Sequence, residues 1–345
     1  MNYKEQEVTY ENKIAKVTLA GTLTTPQGEG PFPVVLLISG MGRNDRDYDI
    51  CGHKLFLVLA NHLIHHGIAV LRVDKRGVGK STGTLDAAVT SKDLADDVFA
   101  GIAYLKTCKA IDHKKIGLIG HSEGGLIATM VATESKDVAF LVSMAGALTT
   151  GVAAVVEAMA LQLRADGASK AMIEWDRKVR SAFLTIARRE MDITRAETFM
   201  REAFAFYWAE LSEALKNEAC KLVFTITQAN ANAMISLFNS PWYRFLLSYR
   251  SVDALKQIKI PMLAITGSLD WITPASALSV IAKALERAGN RDCTTIELPH
   301  LNHQLRTCKT GSIAEYKQPG ESIAPIALKV ISDWIVERTS NRKKD

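Results

Sequence analysis

Residues 33–39 read Pro-Val-Val-Leu-Leu-Ile-Ser, an apolar run with no polar alternation. A strand with one wet face alternates; a strand covered on both faces does not. Runs of the same kind recur at 69–74, 115–120, 139–144 and 260–266, and 294–298 predicts a last strand. Between them the apolar spacing turns helical, as at Leu55, Leu59, Leu63 and Ile64 within 53–66. Further helices are expected over 91–106, Gly124 to Ala132, Pro274 to Ala288, and 321–338. Buried strands alternating with helices predict an α/β chain, a mostly parallel central sheet with helices on both faces. Residues 14–24 alternate and are rich in β-branched side chains, which predicts an antiparallel edge strand.

The alternation stops near residue 150 and resumes near 250. The segment between is helical in pattern and holds thirteen of the chain's 24 aromatics, all between Trp175 and Tyr249. The expected organisation is a core at 1–149, a helical cap inserted at 150–250, and the rest of the core at 251–345.

Net charge is +5, and the insertion mixes thirteen Lys/Arg with eleven Asp/Glu. No clustered basic face appears, so nucleic acid is not an expected partner. The basic tail from Arg338 to Lys344 reads as a solvated end. The five cysteines, Cys51, Cys108, Cys220, Cys293 and Cys308, are scattered without a C-x-x-C pair and read as free buried thiols, with no zinc site. No apolar run approaches the ~18 residues of a membrane span. The first residues lack the apolar stretch of a signal peptide, so a cytoplasmic location is the simplest expectation; an exported chain already freed of its signal would read the same. The sequence leaves a homodimer open.

Two stretches match G-x-S-x-G: Gly79-Lys80-Ser81-Thr82-Gly83 and Gly120-His121-Ser122-Glu123-Gly124. A nucleophile elbow needs a buried strand before the serine and a helix after it, so that a sharp turn exposes the hydroxyl above the sheet. Only Ser122 has both. Ser81 lies between loops. The Gly79-Lys80-Ser81 end of a phosphate-binding loop would need a glycine where Asp74 stands, so nucleotide binding is rejected.

A serine hydroxyl is a weak nucleophile until a base takes its proton. Of eight histidines only His300 and His303 follow Ser122, both just beyond the last strand. His303 is preferred as base, with His300 the alternative. Asp270, directly after the 260–266 strand, is the expected orienting acid; the alternative is a helix cap before Pro274. The oxyanion donors are expected to be the backbone N–H groups of Glu123, at a helix start, and Met41, in the loop Gly40-Met41-Gly42. His62, His65 and His66 tempt a metal assignment, but solvated surface is preferred. No metal or cofactor is expected.

The stretches Leu36 to Asp47, Val73 to Ser81, Gly120 to Gly125, Gly267 to Asp270 and Asn302-His303 occur in the order found in one family. Together they resemble the bacterial α/β-hydrolase carboxylesterases, the EstD-like esterases related to serine aminopeptidase-like hydrolases. The resemblance covers about 1–150 and 250–340. It implies the α/β-hydrolase fold, a Ser122–Asp270–His303 triad and activity on short acyl esters. Where that family often carries Gly-Ser-Gly-Pro-Gln-Asp-Arg-Asp, this chain has Met41 for the serine and Arg43-Asn44 for Pro-Gln. The insertion matches no motif, so substrate identity does not transfer. The same triad would serve a peptidase, thioesterase, amidase or acyltransferase, and the fold also carries non-catalytic receptors.

Overall fold

The computed structural model describes residues 3–340. The chain opens with β1 (Tyr3–Asn12), β2 (Val17–Pro26) and β3 (Phe32–Ile38), then a short ribbon of β4 (Asp49–Ile50) and β5 (His53–Lys54). There follow α1 (Leu55–Ile64), β6 (Ala69–Val73), α2 (Ser91–Leu105), β7 (Ile111–His121), α3 (Glu123–Glu134) and β8 (Phe140–Met144). Helices α4 (Val152–Ala165), α5 (Lys170–Arg189), α6 (Ile193–Ala209), α7 (Glu213–Ala219), α8 (Ala231–Asn239), α9 (Pro241–Ser248) and α10 (Ser251–Leu255) separate β8 from β9 (Met262–Gly267). The chain closes with α11 (Ser276–Arg287), β10 (Cys293–Leu298) and α12 (Pro325–Thr339).

The main sheet has eight strands in the order β1-β2-β6-β3-β7-β8-β9-β10. From β6 to β10 every pairing is parallel, while β1–β2 and β2–β6 are antiparallel. The apolar runs supply the parallel strands because both faces are covered. Leu94, Val98, Ile102, Leu126, Ile281 and Leu285 bring α2, α3 and α11 onto one face. Leu55, Leu59, Leu63, Ala327, Ile331 and Ile335 bring α1 and α12 onto the other.

One strand expectation is corrected. The 14–24 run is not an edge: Ile14 to Lys16 lie in the turn before β2, and β1 covers β2 along its whole length. Tyr3 to Glu7 of β1 are exposed, and charged side chains are what a free sheet edge tolerates. Their polarity is also why β1 does not read as a strand in sequence.

Helices α4 to α9 build a core of their own around Trp175, Phe183, Phe204 and Phe238, with a buried Arg180–Asp176 ion pair at 2.8 Å. Arg338 departs from the solvated tail expected of it: it pairs with Asp292 and stacks 3.9 Å over Trp334. Residues 341–344 of that tail lie outside the described residues. The cysteines are free, as read, but not buried: Cys51 and Cys220 are exposed and the other three half-buried.

Candidate active site

Strand β7 ends at His121 and α3 starts at Glu123, so Ser122 alone makes the turn, at φ 55 and ψ −122. This is a sparsely populated backbone state for a residue with a Cβ. Its backbone is pinned on both sides. The N–H donates to Met144 O, and the carbonyl accepts from Gly125 and Ala147 N–H, each at 3.0 Å. Gly124 lets α3 sit against β3, since a Cβ there would lie 2.0 Å from Ile38 O.

The residues flanking Ser122 turn inward. His121, 1% exposed, places Nε2 2.7 Å from the backbone carbonyl of His303 and Nδ1 3.0 Å from the Tyr48 hydroxyl. A carbonyl only accepts, so Nε2 carries the proton and Nδ1 accepts from Tyr48. Burial first, then the neighbouring His303, lowers the His121 pKa to about 3, so the ring stays neutral. The strand end that carries Ser122 thereby holds the loop that carries His303.

His303 Nδ1 lies 3.0 and 3.1 Å from the two carboxylate oxygens of Asp270. Asp270 is 1% exposed. Burial alone would raise its pKa; the His303 charge and hydrogen bond, with the Thr273 hydroxyl and N–H, outweigh burial and hold it below its usual range. Oδ1 accepts from Ile272 and Thr273 N–H at 3.0 and 2.8 Å, so Asp270 also organises the turn before α11. It does not cap that helix, as the alternative reading expected: the N-cap of α11 is Ala275, and no side chain caps its first turn. His300 sits at φ 57, exposed, with its N–H bonded to Ser268; it is His303 that reaches Asp270.

The loop after β3 closes over the serine: a Cβ on Gly40 would lie 2.9 Å from the Ser122 Cβ. Met41 is 62% exposed, and its N–H has no acceptor among the described residues. Behind it, Gly40 O accepts from Asn44 Nδ2 at 2.8 Å and from Lys75 Nζ. The Asn44 that departs from the family pattern thus folds back onto its own loop, also reaching Met41 O at 3.0 Å. Lys75 lies 4.0 Å from Glu123, both side chains under 10% exposed. Burial pushes the Lys75 pKa below its ordinary 10.5, and Glu123 offsets part of that. The other Glu123 oxygen accepts from Ser91 Oγ and from Trp242 Nε1 of α9, each at 2.7 Å.

Tyr48, His121, Lys75 and Trp242 are absent from the sequence-based site. His121 was inside the motif and Lys75 inside a quoted stretch, but nothing local marked either as a partner.

The second G-x-S-x-G match folds otherwise. Ser81 is buried, donating to Asp74 O at 2.7 Å and accepting from Ala20 N–H at 2.9 Å. Of the clustered histidines, His65 and His66 are exposed. His62 departs from the surface reading, bonding Ser332 Oγ of α12 at 3.0 Å, because it stands at the margin of the face α1 buries. No group of three or more His, Cys, Asp or Glu among the described residues could hold a metal ion, and no helix among them is long and apolar enough to cross a membrane.

A family model described as the alpha/beta hydrolase fold matches residues 33–303. The chain belongs to the α/β-hydrolase family. Among relatives of this α/β-hydrolase, esterase EstD of Thermotoga maritima is 34% identical over 135 residues, 39% of this chain and 32% of that protein. The match therefore spans about a third of EstD. Two solved α/β-hydrolase-like structures cover nearly all of the chain. An esterase from Pyrococcus furiosus has a TM-score of 0.55 at 17% identity, covering 98% of this chain and 92% of its own. Est1E from Butyrivibrio proteoclasticus, with ferulic acid bound, has a TM-score of 0.54 at 15% identity, covering 96% and 98%. At such identities the likeness is one of fold.

Proposed function

We propose that this α/β-hydrolase is a serine carboxylesterase that cleaves esters of short to medium acyl chains through a covalent acyl-enzyme. The observation that carries the reading is the junction at the β7 end: Ser122 in a strained turn, beside a histidine that holds the loop on which His303 meets Asp270. With Nδ1 held by Asp270, His303 offers Nε2 to the serine proton. The Ser122 oxygen attacks the ester carbonyl, and the N–H groups of Met41 and Glu123 hold the developing oxyanion. His303 returns the proton to the leaving alcohol, water attacks the acyl-serine by the same route in reverse, and the acid departs. Glu123 opens α3, so its N–H has no partner within the helix.

The helical segment 150–250 acts as the cap between the core parts 1–149 and 251–345. Its seat on the core includes Trp242, whose N–H donates to Ala87 O at 3.1 Å. The esterase names among the relatives, and the resemblance in sequence, support a small-molecule ester as substrate. The test is a series of p-nitrophenyl esters from acetate to dodecanoate, alongside a fluorophosphonate label located by peptide mapping. Turnover favouring the shorter chains with the label on Ser122 is expected. Tight ester binding without turnover, or a label elsewhere, overturns the reading.

A further inference from the structure

The geometry points to Lys75 as the positioning residue of the oxyanion site: its ammonium, held by Glu123, sets the plane of the Gly40–Met41 peptide and so aims the Met41 N–H at the reacting carbonyl. The inference rests on the proposed esterase reading and deepens it. The Gly40 carbonyl and the Met41 N–H belong to one peptide group, which is trans. In a trans peptide the two point in opposite directions across a rigid plane. Fixing the carbonyl therefore fixes the aim of the N–H. Lys75 Nζ and Asn44 Nδ2 both bind Gly40 O, and the N–H opposite them has no acceptor among the described residues. A cation on the carbonyl also polarises the peptide, which strengthens its N–H as a donor.

A buried ammonium is costly without a counter-charge. Glu123 supplies it at 4.0 Å, while Ser91 and Trp242 occupy its other oxygen at 2.7 Å each. The residue after the serine thus has two assignments: its backbone N–H faces the oxyanion and its side chain keeps Lys75 in place. Trp242 belongs to α9, so this carboxylate also ties the helical segment to the loop that receives the substrate.

The experiment compares Lys75→Met, Lys75→Met/Glu123→Gln and Ser122→Ala with the unmodified chain. It measures kcat and KM on p-nitrophenyl butyrate, the inhibition constant of a trifluoromethyl ketone, which binds as the oxyanion, and fluorophosphonate labelling. Loss of one oxyanion donor costs about 10²–10³ in kcat, so misaiming one is expected to cost roughly 10–100-fold. KM should move by less than about threefold, since the interaction is made in the transition state. The ketone should weaken by the same factor as kcat/KM, which a general loosening of the fold would not reproduce. If Lys75→Met leaves Glu123 unpaired and fails to fold, the charge-balanced double variant gives the answer. A folded variant with unchanged kcat and unchanged ketone affinity overturns the role of Lys75, provided Ser122→Ala is inactive and unlabelled. An active Ser122→Ala overturns the esterase reading itself and the inference with it.

Discussion

Residues 79–83 and 120–124 spell the same five-residue pattern and fold as inverses of each other. In the first, Ser81 points into the protein while Lys80 and Thr82 point out; Lys80 forms an exposed ion pair with Glu7 at 3.0 Å. In the second, Ser122 is half-exposed while His121 and Glu123 are buried and bonded. The inversion follows from the neighbours. Buried β7 enters one turn and α3 leaves it, so both flanking side chains are driven into the interior and the serine is left at φ 55 on the rim. The other pattern folds back along β2, where Thr82 N–H donates to Thr18 O at 2.8 Å and the serine bonds backbone on both sides. The glycines permit a turn; the elements on either side decide which side chain it displays.

The largest test of this contrast is the pair Ser122→Ala and Ser81→Ala. The first is expected to cut ester turnover by about 10⁴-fold or more with little effect on stability. The second should leave kcat near its starting value and lower the unfolding free energy by about 1–3 kcal/mol, because two buried backbone groups lose their partner. Steady-state kinetics and urea melts on both variants decide it. Comparable losses of turnover at both serines would erase the distinction between the two turns.

A middle-sized effect separates the residues that precede the serines. His121 is buried and neutral with a pKa of about 3, whereas an ordinary histidine stands at 6.5. Between these values the unfolded chain binds a proton that the folded chain does not. Stability therefore falls as the pH drops from 6.5 towards 3 and is fully present above 6.5. The contribution is up to about 5 kcal/mol at the acid end. His121→Gln should flatten that part of the stability-versus-pH curve, while Lys80→Gln should leave its slope alone. Parallel wild-type and His121→Gln curves would mean that His121 is already protonated in the fold.

How much of this was legible in sequence depended on how local the cause is. Apolar runs report burial on both faces directly, and so the parallel strands and their helices stand close to where the pattern put them. Strand β1 escaped notice because an edge may be polar. The residues of the site whose neighbours are near in sequence, Ser122 after its strand and Asp270 after β9, could be proposed from their context. Tyr48, Lys75 and Trp242 could not. Trp242 meets Glu123 across 119 residues, and Tyr48 meets His121 across 73. Such contacts exist only once the sheet has brought β3, β6 and β7 side by side, and no periodicity announces them. The thiols were misjudged for a related reason: a cysteine's depth depends on which face its element turns to the core.

The smallest effect bears on the turn itself, through the same change at each serine. Ser→Gly removes the side chain and widens the backbone choices of the unfolded chain, which by itself destabilises by roughly 0.5–1 kcal/mol. At Ser81 the loss of the buried hydroxyl adds to that, so stability should fall by about 2 kcal/mol or more. At Ser122 the change also releases a non-glycine residue from φ 55 and ψ −122, a strain of order 1–3 kcal/mol. The two contributions at Ser122 oppose each other, and the expected net result is an inactive protein at least as stable as the original, by up to about 2 kcal/mol. Urea midpoints at neutral pH read the difference, with Ser122→Ala as the reference that lacks the hydroxyl but keeps the Cβ and hence the strain. If Ser122→Gly is less stable than Ser122→Ala, any strain in the turn is smaller than the backbone-entropy cost of glycine, about 0.5–1 kcal/mol, and the hydrogen bonds to Met144, Gly125 and Ala147 hold the positive φ at little expense.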